Sequence, residues 1–446
     1  MQDVFAKHFD AFAQGRRLHP RELSAAHSIR TCYTAERGGH LDYCAQGHTQ
    51  REVFYACRHR SCPRCASRPR QAWVQAELDR LLGCAHFHVV FTLPHELLGL
   101  WEFNRQALSK VLFDCVRQSL LQMLGDPRHL GATPGLLLSL HTWGRTLSHH
   151  PHIHALVSAG GLDAARQWRS TREGYLLPLK PLQKLFCGKL LSALLQALPT
   201  WSLPPQRLPP QQGQGQPGIA HWQGVVKALY RKHWNIQISA PYSHGRGVAL
   251  YLARYAKGGP LPADRALQLA HAQVSFGYTD HRDGQSKALR LPANEFIARV
   301  LWHAPPKGSH TVRHAGLYAS VQASKRGAAA LALACAQLTG PTQSSGTALR
   351  PTSPELATSP RPSPTPATPV LVPASNLCPR CLQPLLRLRL RAHSGAGNQI
   401  SPLPRRRAQN HTPTTEAPGP TPRSSRHPTA SCSSSLRRRR APLDAA

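Results

Sequence analysis

The chain has 446 residues, and its 55 Lys and Arg outnumber 21 Asp and Glu, giving a formal net charge of +34. An excess of that size repels a compact chain unless an anionic partner offsets it, and nucleic acid is the commonest such partner. No stretch approaches the roughly 20 consecutive apolar residues of a membrane span, and the start, with its acidic residues and no apolar segment, excludes a secretory signal. Twelve cysteines without an export signal point to thiols in a reducing, cytoplasmic setting, where metal binding is favoured over disulfides. The length suggests two or three units. Hydrophobic residues make up 41%, below the usual figure of about 45–50%, and 40 prolines are far above average, so a folded part is diluted by a disordered one.

In chain order, residues 1–70 concentrate Cys and His and read as a zinc-binding, DNA-recognising module. Residues 71–340 alternate helical and strand patterns. Gln71–Leu82 reads as a helix, and His88–Leu93, β-branched and aromatic and stopped by Pro94, reads as a strand. Leu108, Leu112, Val116, Leu120 and Leu124 recur at helical spacing within a long helix over Trp101–Leu124. Leu136–His141 and His152–Val157 read as strands, the second closed by Gly160 and Gly161, and Leu182–Ala197 as a helix. A Pro/Gln/Gly segment, 204–218, reads as a surface linker. Trp234–Ala240 alternates like a strand with one buried face, and Ser243–Lys257 reads as a helix from a Ser cap to a Gly stop. Residues 341–446, rich in Pro, Ser, Thr and Arg, cannot bury enough apolar surface to offset their ordering entropy, and a disordered basic tail is expected.

Three clusters carry chemistry. The first is Cys32, Cys44, His48, Cys57, Cys62 and Cys65. The two-residue gap of Cys62-Pro-Arg-Cys65 lets both thiolates reach one ion from a tight turn, and four of Cys44, His48, Cys57, Cys62 and Cys65 would complete a tetrahedral structural zinc site. The later pair, Cys378-Pro-Arg-Cys381, lacks a second pair nearby in sequence and reads as a weak metal signal; Cys84, Cys115, Cys187, Cys335 and Cys432 read as isolated thiols.

The second cluster is His150-Pro-His-Ile-His154. Residues two apart on a strand share a face, so His152 and His154 point together and can chelate a divalent cation such as Mg²⁺ or Mn²⁺, with His150 a candidate third ligand. The third is Tyr251-Leu-Ala-Arg-Tyr255, two tyrosines one helical turn apart. A tyrosine, with a pKa near 10, is a useful nucleophile only where a cation polarises the group it attacks. A packed aromatic stripe is the plainer reading of such a pair. A chelating strand, a tyrosine pair and a large positive charge together are what DNA cleavage with a tyrosine nucleophile requires.

At this point the motifs resemble the HUH-type, two-tyrosine transposases of rolling-circle insertion sequences, the insertion sequence ninety-one family. The resemblance covers residues 5–320. It rests on Cys57-Arg-His-Arg-Ser-Cys-Pro-Arg-Cys65 as the zinc module, His88–His95 as the first catalytic strand and His141–His154 as the metal motif. Tyr251 and Tyr255 stand in the nucleophile positions, and Glu295–His303 with Arg313–Gly316 form the closing segment. This chain lacks the second knuckle cysteine that the family has after Cys44, leaving His48 or Cys57 to substitute, and where the late cysteine pair is followed by Gly, this chain has Leu382. The resemblance implies an α+β fold, an HUH antiparallel sheet flanked by helices, preceded by a small zinc module and followed by the disordered tail. It implies single-strand cleavage and transfer at element ends through 5′-phosphotyrosine intermediates. Tyr251 and Tyr255 would be catalytic, and Arg58, Arg60, Arg64, Arg254 and Lys257 are read as DNA contacts. Rival readings are a rolling-circle replication initiator with the same chemistry and a non-catalytic zinc DNA-binding protein or inactive copy.

Overall fold

The computed structural model describes residues 1–66, 68–204, 218–243, 260–261, 267–280, 283–339, 376–392 and 400–402. Two amphipathic helices open the chain, α1 (Gln2–Ala13) and α2 (Pro20–Thr31), the second held by a capping box in which Glu22 reaches back to the His19 amide. A hairpin of β1 (Gly39–Tyr43) and β2 (Gln50–Phe54) follows, and the Cys62 knuckle forms a single helical turn, Pro63–Ala66. The helix expected over 71–82 lies earlier, at Arg68–Leu78.

The central sheet is antiparallel. Its members are β3 (His86–Thr92), β4 (Thr133–Trp143), β5 (His149–Leu162), β6 (Trp168–Ser170), β7 (Ile236–Ile238) and β11 (Val312–Gly316), in the order β11-β4-β5-β3-β7 with β6 against the end of β5. Alternation then decides what lies where. Odd-numbered Val89, Phe91, Ile153, Ala155 and Val157, with Leu138 and Leu140, bury one face against α3 (Arg105–Gly125) and α4 (Leu179–Ala197), through Leu108, Leu112, Val116, Phe186 and Leu190. Each of the Val, Leu, Ile and Phe side chains contributes about 1.5–3 kcal/mol by leaving water. The opposite face carries Leu137 and Leu156, covered by Leu317, Tyr318 and Leu333, and beyond them a row of histidines. Gly135 lets the Tyr318 ring lie on the sheet, since a Cβ there would stand 2.5 Å from it. The expected long helix breaks at Asn104, whose side-chain amide donates to the Leu100 and Ser202 carbonyls, leaving a short helix over Leu98–Phe103 before α3.

A second apolar core joins the two ends of this region. Phe5 and Phe9 of α1 and Ile29 of α2 pack with Val274 and Phe276 of a three-stranded sheet, β8 (Gln268–Ala270), β9 (Gln273–Thr279) and β10 (Ser286–Pro292). Phe296, Ile297 and Val300 of α6 (Ala293–Trp302), which follows α5 (Ile219–Leu229), complete it. The amino-terminal helices therefore share a core with residues far beyond position 70, because α1 and α2 are too short to bury their apolar stripes on each other alone.

Within the segment expected to be a disordered tail, β12 (Leu386–Leu390) is ordered. It pairs antiparallel with β1 from Gly39↔Leu390 to Tyr43↔Leu386, with β13 (Ile400–Pro402) at its outer edge. Local composition does not register an edge strand that completes its partner sheet from a distance. The linker, except residues 204 and 218, and most of the segment after residue 340 lie outside the described residues.

Candidate active site and metal centres

Even-numbered residues of β3 and β5 face away from the main core, and the register sets His152 directly opposite both Thr92 on β3 and His141 on β4. Three imidazoles converge there: one nitrogen from each of His141, His152 and His154 lies within 4.8 Å of the others. All three rings are buried. His152 Nδ1 lies 2.6 Å from the His150 carbonyl, so it carries the proton and leaves Nε2 for an ion; His154 Nδ1 meets His88 Nε2 at 2.7 Å. Burial holds all four rings below their ordinary pKa, His88 and His152 at about 4, so each stays neutral at pH 7 with a lone pair to offer. Three neutral imidazoles without a carboxylate fit a divalent transition ion such as Mn²⁺ better than Mg²⁺, which prefers oxygen.

The candidate third ligand, His150, is not in this group: its ring is exposed at the strand's end and it contributes a backbone carbonyl instead. His141, on the neighbouring strand, holds that place instead, its ring centroid 5.4 Å from that of His152 and 4.2 Å from that of His154. Its signal was present in the sequence as the first residue of the motif His141–His154. Tyr251, Tyr255, Arg254 and Lys257 lie outside the described residues.

Next to the cluster the Trp143 ring stacks on His141 with centroids 5.5 Å apart and forms part of a cleft of about 830 Å³. Arg105, Lys110, His310 and Arg313 line the same cleft, a basic surface interrupted by an aromatic face. Glu102 holds Arg105 of that lining: burial pushes its carboxyl up, but hydrogen bonds from His149 and Arg105 pull it down to about 2.

The cysteine cluster resolves into two centres rather than one. Cys57, Cys62 and Cys65 meet Cys32 from the end of α2, with the Cys65 sulfur 3.5 Å from both Cys32 and Cys57. Four thiolates on a tetrahedral zinc at about 2.3 Å each would stand roughly 3.8 Å apart, so the donor set and spacing fit. The Arg58 amide donates to Cys65 Sγ and the His59 amide to Cys57 Sγ, for which Arg58 takes a left-handed φ of 55°. Hydrogen bonding to Cys62 pushes the Cys57 thiol up, and Cys62 is held down at about 5; only a cation lets all four ionise together. Cys44 and His48 stand apart from these four, beside Cys378 and Cys381. The expected single site missed Cys32 and mixed the two centres, because which half-site meets which is set by packing and not by spacing. Of the arginines expected on DNA, Arg60 is spent on the Ser309 carbonyl and Thr311 hydroxyl, Arg64 lies over the Tyr33 ring at 4.6 Å, and Arg58 is exposed.

Two buried histidines outside the cluster make stability pH-dependent. Burial lowers His86 to about 4 and His303 to about 3, while the unfolded chain titrates them near 6.5. Between pH 6.5 and 4 the unfolded state therefore binds more protons, and stability falls as pH falls through that window. Urea unfolding of the full chain is expected to lose about 2 kcal/mol for each of these groups between pH 7 and pH 5; an unchanged midpoint over that range would contradict the burial argument.

These centres define a metal-binding protein of mixed helix and antiparallel sheet. Residues 4–93 match the family described as "Transposase zinc-binding domain", and residues 135–325 match that described as "Putative transposase". The chain is 32% identical over 317 residues to "Putative transposase y4qJ" of Sinorhizobium fredii (strain NBRC 101917 / NGR234), covering 70% of this chain and 79% of that protein. It is 30% identical over 317 residues to "Transposase for insertion sequence element IS801" of Pseudomonas savastanoi pv. phaseolicola, covering 68% of this chain and 72% of that protein. No solved structure matches it. The chain belongs to this family of insertion-sequence transposases, the insertion sequence ninety-one family, with its amino-terminal zinc-binding domain. Among the described residues no helix is long and apolar enough to cross a membrane.

Proposed function

We propose that the chain is an HUH-type transposase that nicks and transfers single-stranded DNA at the ends of its element, with residues 1–70 recognising DNA and 71–340 carrying the chemistry. The observation that carries this reading is the convergence of the His141, His152 and His154 imidazoles on one sheet of a transposase. A divalent cation held by these three rings would supply a Lewis acid that polarises the scissile phosphate. The buried sheet keeps the rings neutral and His88 and the His150 carbonyl orient them. The cleft beside Trp143 suits a single strand, with Lys110 and Arg313 for phosphates and the indole face for a base. Tyr251 or Tyr255 would then attack: its hydroxyl loses a proton as Oη bonds to phosphorus, and the 3′ oxygen leaves and takes up a proton. The 5′ phosphate stays on the enzyme, so the bond energy is kept for rejoining.

The test uses the full chain and a single-stranded oligonucleotide bearing an element end, labelled at its 3′ end. With Mn²⁺ a covalent protein–DNA band is expected on a denaturing gel, and EDTA removes it. Cleavage without any covalent band, or undiminished in EDTA, would overturn the reading.

A further inference from the structure

We infer that Cys44, His48, Cys378 and Cys381 form a second zinc site, which fastens the late cysteine pair to the amino-terminal zinc-binding module. Cys44 Sγ lies 3.6 Å from Cys381 Sγ and 3.8 Å from His48 Nδ1, and Cys378 Sγ lies 3.9 Å from the same nitrogen. One ligand atom from each of the four lies within 4.8 Å of the others, the spacing of a tetrahedral Cys₃His set.

Two further observations point the same way. Cys62-Pro-Arg-Cys65 and Cys378-Pro-Arg-Cys381 have the same four-residue sequence, and in each the first sulfur accepts hydrogen bonds from the backbone two and three residues on: Arg64 and Cys65, then Arg380 and Cys381. Backbone donors aimed at sulfur are what a zinc knuckle provides. The strand pairing also brings the second pair to this place. The β12–β1 register fixes residues 386–390 on the hairpin that carries Cys44, and Arg387 donates to the buried Asp42 carboxylate at 2.6 and 3.1 Å, with Arg51 on its other side. His48 thus takes the place of the cysteine that the knuckle after Cys44 lacks. Leu382, at the position after the second pair, adopts a φ of 56°, the left-handed conformation that glycine takes most readily.

The four thiolates of the first centre and the three of the second make a counting experiment decisive. The full chain, purified with zinc, is titrated with a mercurial that displaces metal from thiolates but not from imidazoles alone, and released zinc is read with a chelating dye. Two ions per chain are expected, and release of one overturns the proposal. The Cys378→Ser, Cys381→Ser variant is expected to release one, whereas His48→Cys keeps both; an unchanged count of two in the double variant also overturns it. The wild-type count stands even where the double variant fails to fold. Hydrogen exchange on the wild-type chain, before and after chelation, adds the location: Leu386–Leu390 should lose protection while β4 and β5 keep theirs.

Discussion

Replacing both tyrosines, Tyr251→Phe with Tyr255→Phe, is expected to abolish covalent capture of a single-stranded oligonucleotide while leaving the thermal midpoint within about 2 °C, since Phe fills nearly the same volume and only a hydroxyl is lost. Either single variant keeps one nucleophile and should still form an adduct, but should complete few transfers, because joining a second strand while holding the first needs both hydroxyls. Loss of the attacking oxygen removes the reaction path itself, so the adduct in the double variant should fall by at least 10³-fold, on the order of 4 kcal/mol of barrier. If the pair is a packed aromatic stripe, the double Phe variant is nearly silent. Denaturing gels with 3′-labelled strand separate the two, and an adduct of normal yield in the double variant would sink the mechanism.

The second large effect belongs to the imidazoles. His141→Ala, His152→Ala and His154→Ala each remove one of three converging donors, and each is expected to lower metal-dependent cleavage more than 100-fold at a fixed Mn²⁺ concentration. His88→Phe acts one step away, by freeing the His154 ring it holds at 2.7 Å; such orienting partners are worth roughly 10–100-fold in metal affinity. Excess Mn²⁺ should therefore restore His88→Phe but not His154→Ala. Binding of single-stranded DNA should change little in all four variants, because phosphate affinity comes from arginine and lysine. Titration of cleavage against Mn²⁺, with a parallel gel-shift measurement, checks both. A His141→Ala variant with wild-type metal dependence would return the third ligand to His150 or to another group.

How much of this could be read beforehand follows from the range over which each interaction acts. Two thiolates separated by Pro-Arg can reach one ion whatever the rest of the chain does, and alternation puts His152 and His154 on one face of any strand that contains them. Apolar residues every third or fourth position made α3 and α4 helices without knowledge of their partners. The family follows from the order of these local motifs.

What the tertiary structure decided is which half-site meets which. His141 becomes the third imidazole through the β4–β5 register, which pairs it with His152 across two strands. Cys32 joins Cys57, Cys62 and Cys65 because α2 packs where its carboxy-terminal end meets the knuckle. Cys378 and Cys381 reach Cys44 and His48 across more than 300 intervening residues because β12 pairs with β1. Arg60, which the charge pattern offers to DNA, is instead held by Ser309 and Thr311. Sequence spacing fixes distances along the chain, but strand register and loop closure bring together residues remote from one another, and those depend on the cores that the whole chain buries.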